Sequence, residues 1–414
     1  MKHKKLTLLF LFITTFLCGQ SLQNLEKSGG YARLQSMGSN PYIIDPFYMV
    51  INPAWGAYYD NFIFGDLGST QTVFGNDGAG QFVSANFRVT NQLTIGALLT
   101  RNDFNGIFSI SHLDPGSIVN QINNTVGAGI TNLNNNLGLM ASYRMGRHKF
   151  GFGLAYAASS RETNRADGNN TEASASQFGL HFGYIGTFGR GLLLDGAFYL
   201  SFPGASYTPP NASETSFSQT VIGVHARAFY TLSPKFKVVP GFTFQSISGS
   251  ADIATGAQGT TSSDLSSSST FIIGVGIMYE SGDFLFAGGP GFATLGTTTP
   301  GVENISPELS SSTSFFPIWN LGAEWGMLEW LYARFGYVSL TGSQSTETAA
   351  SSTTVNETIS TIYGPTGAYV GLGIKLGNLS IDGTVNSDVL RQGLNNIGGG
   401  GATFAYLSVS VAFE

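Results

Sequence analysis

The sequence predicts an all-β membrane protein, a transmembrane antiparallel up-and-down barrel of about sixteen strands with a plug at its amino-terminal end. Three observations carry that prediction. Large apolar residues recur with a strict period of two, connections alternate between short and long, and no segment past residue 20 is apolar enough to be a membrane helix. Only 11% of the 414 residues are charged, against about 25% in an ordinary soluble domain. The 13% aromatic content argues against disorder. A spanning helix needs roughly 18 consecutive apolar residues, and the best later run, residues 271–279, is broken by Gly274 and Gly276.

Residues 1–20 read as a secretory leader. Lys2, Lys4 and Lys5 form its basic start and residues 6–17 its apolar core. The single cysteine, Cys18, admits a lipoprotein signal, but Phe16 and Leu17 stand where such a signal wants small residues. Without the leader no cysteine remains, so neither disulfides nor thiol chemistry is expected. The leader holds three of the 19 basic residues and none of the 25 acidic ones, so the mature chain carries a formal charge of −9. That balance argues against nucleic acid as a partner.

Side chains on a strand alternate between its two faces. Phe150, Phe152, Leu154 and Tyr156 share one face, with Gly151, Gly153 and Ala155 on the other. Phe178, Leu180, Phe182 and Tyr184 oppose Gln177, Gly179, His181 and Gly183. The same holds for Phe271 to Tyr279, for Trp319, Leu321, Ala323 and Trp325 against Asn320, Gly322 and Glu324, and for Leu331, Ala333, Phe335 and Tyr337 against Tyr332, Arg334 and Gly336. A helix would space its apolar stripe by three and four. A soluble sandwich would alternate likewise, but without a regular asymmetry of its loops.

Short turns are expected at residues 90–92, 146–148, 187–190, 232–235, 281–283, 326–329 and 377–378. Long polar loops are expected at 102–136, 161–174, 203–215, 249–269, 294–313, 341–363 and 388–402. Short periplasmic turns with longer external loops mark outer-membrane barrels. Seven turns join fourteen strands; a first strand near 58–68 and a last near 404–413 make sixteen. The last strand carries Ala405, Leu407, Val409, Val411 and Phe413 on one face, and its closing aromatic resembles the signal read by outer-membrane insertion machinery.

Residues 28–57 do not alternate. They contain Met37-Gly38, Asp45 and Asn52-Pro53-Ala54, just before the first strand. This order resembles the amino-terminal region of the long-chain fatty-acid transporter (FadL-like) family and of related barrels associated with type IX secretion. The resemblance spans about thirty residues, and Leu34, Gln35 and Ser39 depart from the family's Gly/Ala-rich pattern. It implies a hatch folded into the lumen, over residues 21–57, ahead of a barrel at 58–414. It also implies fourteen strands rather than sixteen. Independently, a barrel this wide leaves a lumen its own side chains cannot fill. Pro41, Pro46 and Pro53 disfavour regular structure, and irregular backbone is tolerated at membrane depth only inside protein. The alternative is that Asn52-Pro53-Ala54 is a turn anchoring the first strand.

Catalytic and metal chemistry is not evident. His112, His148, His181 and His225 lack metal spacing, no cysteine cluster exists, and no phosphate loop occurs. No enzyme activity and no cofactor are expected. Alternation places a polar set in the lumen: Arg88, Arg144, Asp195, His225, Arg227, Lys237, Glu324, Arg334, Lys375 and Asp382. Both signs are present, which suits pairing with each other or with the hatch more than a charged constriction. Trp319, Trp325, Trp330, Tyr156, Tyr279 and Tyr337 read as interfacial girdles. Asp114-Pro115 followed by Ile118, Val119 and Ile122 reads as a capped short helix. Its apolar face is either a loop groove for a greasy ligand or a surface packed over the barrel mouth.

Three functions fit: a hatch-plugged channel taking up small hydrophobic molecules, an outer-membrane scaffold whose external loops hold a protein partner, and a general polar-solute porin. Membrane lipid is the one partner common to all three.

Overall fold

The structure, a computed structural model, describes residues 27–414 except 69–79, 102–103, 105–107, 135, 190, 256–258, 302–305, 365 and 386–403. The leader and the loop expected at 388–402 lie outside the described residues.

A single antiparallel sheet closes on itself. Its strands are β1 (Phe62–Asp66), β2 (Phe82–Arg88), β3 (Leu93–Thr100), β4 (Asn136–Met145), β5 (His148–Thr163), β6 (Thr171–Phe188), β7 (Leu192–Thr208), β8 (Thr215–Ser233) and β9 (Phe236–Ala254). There follow β10 (Thr260–Asp264 and Ser267–Ser281), β11 (Phe284–Thr299), β12 (Leu309–Leu328), β13 (Leu331–Ala349), β14 (Val355–Tyr363 and Gly367–Leu376), β15 (Leu379–Val385) and β16 (Phe404–Ala412). Strands β10 and β14 are each interrupted once, yet both pieces pair with one neighbour, β9 and β13 respectively. Closure is direct, with Phe62 opposite Ala412 on β16 and opposite Asn86 on β2. The wall therefore has sixteen staves, not the fourteen of the resembling family.

Each short turn falls where expected, and both described termini lie at that end: Phe413 N–H donates to Asn61 and Ala412 N–H to Asn378. The first strand starts later than expected. Residues 58–60 still belong to a turn, and Asn61 takes a left-handed conformation (φ 50°) before β1 begins.

The long loops are shorter than the sequence suggested, because the strands continue into them. Residues 343–349 and 355–363, within the long loop expected at 341–363, form the ends of β13 and β14. Threonine is β-branched and fits a pleated sheet, so a polar Thr/Ser stretch continues the wall beyond the apolar belt. At about 3.3 Å per residue and a tilt near 40°, the 20 residues of β12 rise roughly 50 Å. That is roughly twice the height of a typical apolar band, so a polar collar stands beyond the belt.

The belt is outward. Phe150, Phe152, Tyr156, Phe178, Phe182, Trp319, Trp325 and Trp330 are all exposed. Water does not tolerate so continuous an apolar surface on a monomer; lipid does. The strand ladder is interrupted near Pro240 and Pro290. No cross-strand pair forms between Arg227↔Gly241 and Tyr230↔Val238, nor between Gly274↔Gly291 and Ile277↔Gly288. Proline lacks the N–H the ladder needs. An apolar dent of about 600 Å³ opens there, lined by Leu194, Ile273, Val275, Phe292 and Phe316, and it reaches the inner-face residues Arg227 and Gly241.

Candidate functional site

The lumen is filled from both ends. The amino-terminal segment enters from the short-turn end. It forms helical turns between its prolines: α1 (Tyr31–Ser36), α2 (Tyr48–Ile51) and a 3-10 turn at Pro53–Ala57. The prolines bound these turns rather than forbidding them, since proline is accommodated at a helix's first position. Met37, Ile43, Met49, Trp55 and Tyr59 are fully buried.

The glycines on the inner face explain how backbone fits there. A Cβ on Gly151 would lie 2.2 Å from the amide nitrogen of Ala54, and one on Gly336 2.1 Å from that of Gly38. A Cβ on Gly276 would strike the ring of Tyr42 at 2.3 Å. The small residues of the period-two pattern are thus the seat of the plug. Gly38 itself has φ +75° and lies against the backbone of Leu321 and Tyr337, which no larger residue would do without strain.

Two buried polar nodes join plug to wall. On one side stand Asp195 of β7 and Arg227 of β8, directly opposite in register. Arg227 donates to Asp195 Oδ2 from Nη2 at 2.5 Å and Nε at 3.0 Å. Its Nη1 donates to the plug carbonyls of Pro41 and Ile43, and its guanidinium stacks 3.4 Å from the Tyr48 ring. Asp195 also accepts from Asn52 Nδ2 at 2.7 Å and Trp55 Nε1 at 3.1 Å. The Asn52 side-chain oxygen caps the following turn at Ala54 N–H, 2.9 Å. Asn52-Pro53-Ala54 is therefore a junction, in which one residue caps its own turn and locks onto the wall. His225 lies beside this node, bonded to Thr243 at 3.0 Å.

The second node lies on β12, β13 and β15. Arg33 of the plug donates to Glu324 at 2.8 and 2.9 Å and to Asp45 at 3.1 Å. Arg334 donates to Glu324 at 2.5 Å and pairs with Asp382 at 2.6 Å. Burial pushes the Asp45 carboxyl up to about 6, against the pull of Arg33. At the short-turn rim Asp60 gathers three cations: Lys27 at 2.5 Å, Arg88 at 2.6 Å and Arg144 at 3.7 Å. Burial raises the Asp60 carboxyl, but hydrogen bonds from Arg88 and Lys27 outweigh it and hold the group below its usual range. Lys237 pairs with Glu280 at 3.0 Å. Lys375 lines a cavity that opens at that rim.

From the other end, the loop between β3 and β4 folds back into the lumen. Its helix α3 (Ile118–Val126) is capped by Asp114, which accepts from Ile118 N–H at 2.5 Å and Val119 N–H at 3.1 Å. Ile118, Val119 and Ile122 are wholly buried in a cluster with Ala157, Ala173, Ala205, Phe217 and Ala251 of the inner wall. They do not form an open groove. Alanine-lined wall accepts a close helix, so the apolar face is spent on that contact. Gln177 ties the same loop down, accepting from Asp114 N–H and donating to the His112 carbonyl, both at 2.8 Å.

A feature the sequence reading passed over lies on the uncovered half of the wall. Register places Ile272, Ala293, Phe315, Ile318 and Leu340 on one inner face. Most of them are half-buried, and neighbouring Leu295 is 42% exposed. The signal was present: apolar residues at both parities of β10 to β13 depart from the clean alternation of β5 and β6. Among the described residues no group of three or more His, Cys, Asp or Glu could hold a metal ion.

No protein-family model matches the chain and no curated protein matches it. Solved structures do. The toluene transporter TodX from Pseudomonas putida is similar over 95% of this chain and 98% of its own, at 10% identity and a TM-score of 0.36. The FrpB iron transporter from Neisseria meningitidis is similar over 80% of this chain, at 9% identity and a TM-score of 0.37. BauA, the ferric preacinetobactin receptor from Acinetobacter baumannii, is similar over 78%, at 11% identity and a TM-score of 0.43. This chain spans 62% of the length of FrpB and 53% of that of BauA.

Proposed function

We propose that this protein is an outer-membrane channel of the long-chain fatty-acid transporter kind, held shut by its amino-terminal plug, that admits small hydrophobic molecules. The apolar inner stripe of Ile272, Leu295, Phe315, Ile318 and Leu340 carries the reading. A polar-solute pore has no use for half-exposed leucine and phenylalanine inside its lumen, whereas an apolar solute gains affinity from burying them. The closed sixteen-strand wall with its lipid-facing belt supports the membrane assignment. The plug supports a gated rather than an open lumen. The dent at Pro240 and Pro290 supports a cargo soluble in lipid, since only strand backbone separates it from the plug residue Tyr42.

One observation favours a second reading. The Ser/Thr-rich collar of β12 to β14 stands beyond the belt and offers a protein partner more surface than a solute needs.

The test is single-channel conductance of the intact protein together with binding of an apolar fluorophore such as N-phenyl-1-naphthylamine. The proposal expects a closed protein that binds the probe, with affinity lowered about tenfold in Leu340→Asn, as removal of one buried apolar side chain implies. Steady conductance without probe binding would establish the porin reading instead.

A further inference from the structure

We propose that the vestibule at the short-turn end is a binding site for a small oxyanion, the carboxylate or phosphate group of an acidic solute, centred on Lys149 and Arg147. The chain as a whole is acidic, with a formal charge of −6. Yet the cavity there, about 1040 Å³, is lined by nine basic side chains and five acidic ones. Positive charge concentrated in a chamber of an acidic protein asks for a counter-ion.

Almost all of the acidic groups are committed. Glu324 and Asp382 are held by Arg33 and Arg334, Glu280 by Lys237, and Asp60 by Lys27 and Arg88. Asp283 sits on the turn between β10 and β11, several strands around the wall from Lys149. Two lining bases, Arg147 and Lys149, stand apart from these pairs. Arg147 is exposed in the β4–β5 turn and, among the described residues, has no carboxylate within ion-pair distance.

Lys149 is the decisive residue. It is 8% exposed, on the inner face of β5, one inward position below the Gly151 seat of the plug. Among the described residues no carboxylate pairs with it, and the Tyr58 ring lies 4.6 Å from its ammonium. Its stem is buried and its ammonium reaches the cavity, where the aromatic face stands in for a counter-ion. Its position on the cavity lining gives an incoming oxyanion access. Arg144 lies nearby, 3.7 Å from Asp60 and bonded to the Ala57 carbonyl, and its planar fork suits a carboxylate or phosphate. The proposal concerns the end of the lumen beneath the plug and stands whatever cargo enters from the other end.

The test is calorimetric titration of the full-length protein in a zwitterionic detergent with inorganic phosphate, with succinate and, as a neutral control, with glucose. Wild-type protein is expected to bind at least one anion saturably and to ignore glucose, with binding weakened by added salt. Removing one charge-assisted partner should weaken it about tenfold in Lys149→Gln and again in Arg147→Gln. Arg147 lies in an exposed turn, so its variant should leave the fold intact, checked by the heat-dependent shift of the barrel on gels. Phosphate alone would indicate a phosphoester, and succinate alone a carboxylate. The proposal is overturned if neither anion binds saturably, or if both variants bind as the wild type does.

Discussion

Two segments fill this lumen, and they are held in opposite ways. The amino-terminal plug is tied by ions: Arg227 with Asp195 on one side, Arg33 with Glu324 and Arg334 on the other, its backbone pressed onto glycines. The β3–β4 loop is tied by shape, with isoleucines on alanines and a glutamine amide bridging to its backbone. The difference concerns how each could move. Apolar packing is lost within about an ångström of separation, and the surfaces it exposes are neutral. Breaking a buried ion pair instead leaves a charge in low dielectric, at a cost of about 3–5 kcal/mol. A plug on ionic nodes is costly to leave half-seated, which fits the proposed gate, and the proposal expects the loop to stay in place as lining.

The largest effect should come from splitting an ionic node. Asp195→Ala leaves Arg227 buried and unpaired and removes an acceptor from Asn52 and Trp55, a loss of about 3–5 kcal/mol. Hydrogen exchange should rise across residues 31–57 and conductance should appear, while residues 110–133 stay protected. If the loop loses protection equally, the two segments are one cooperative unit and the contrast collapses. Next in size is Ile122→Ala, which opens a void against Ala157 and Ala205 and costs about 2–5 kcal/mol. It should release the loop and leave the plug seated, with no new conductance.

Much of this was readable from the sequence, for reasons that differ by residue. The wall was readable because lipid imposes a strict period of two. The polar lumen set was nameable because strand parity fixes which way Asp195, Arg227, Glu324 and Arg334 point. Their partners were not. That Asn52 meets Asp195, or Arg33 meets Glu324, joins residues 143 and 291 positions apart, and no local pattern encodes it. The inner glycines were visible as the small face of each strand, but not as seats, since that needs the plug in place. Ile118, Val119 and Ile122 showed an apolar helix face without showing what covers it. The loop expected at 341–363 was drawn too long because Ser and Thr read as loop residues, whereas pairing of 341–349 with 355–363 makes both stretches wall.

The smallest expected effect tests whether ionic fastening extends to the rim. Lys27, Arg88 and Arg144 converge on Asp60, where the chain turns from plug into β1. The Asp60 carboxyl is held below its usual range, so it binds a proton less readily folded than unfolded. Its contribution is complete above the ordinary carboxylate pKa of about 4 and is lost as pH falls through the depressed value. Arg88 is 43% exposed, so solvent and salt screen the pair and the change should be modest. Exchange at residues 57–61 should therefore rise on acidification below about pH 4, while the buried Asp195 node keeps residues 41–55 protected. Asp60→Asn should show the raised exchange already at neutral pH and lose the acid dependence. A wild-type profile that stays flat through that range, or an Asn variant that still responds to acid, would mean that the rim is held by the Arg144 bond to the Ala57 carbonyl and by strand pairing alone.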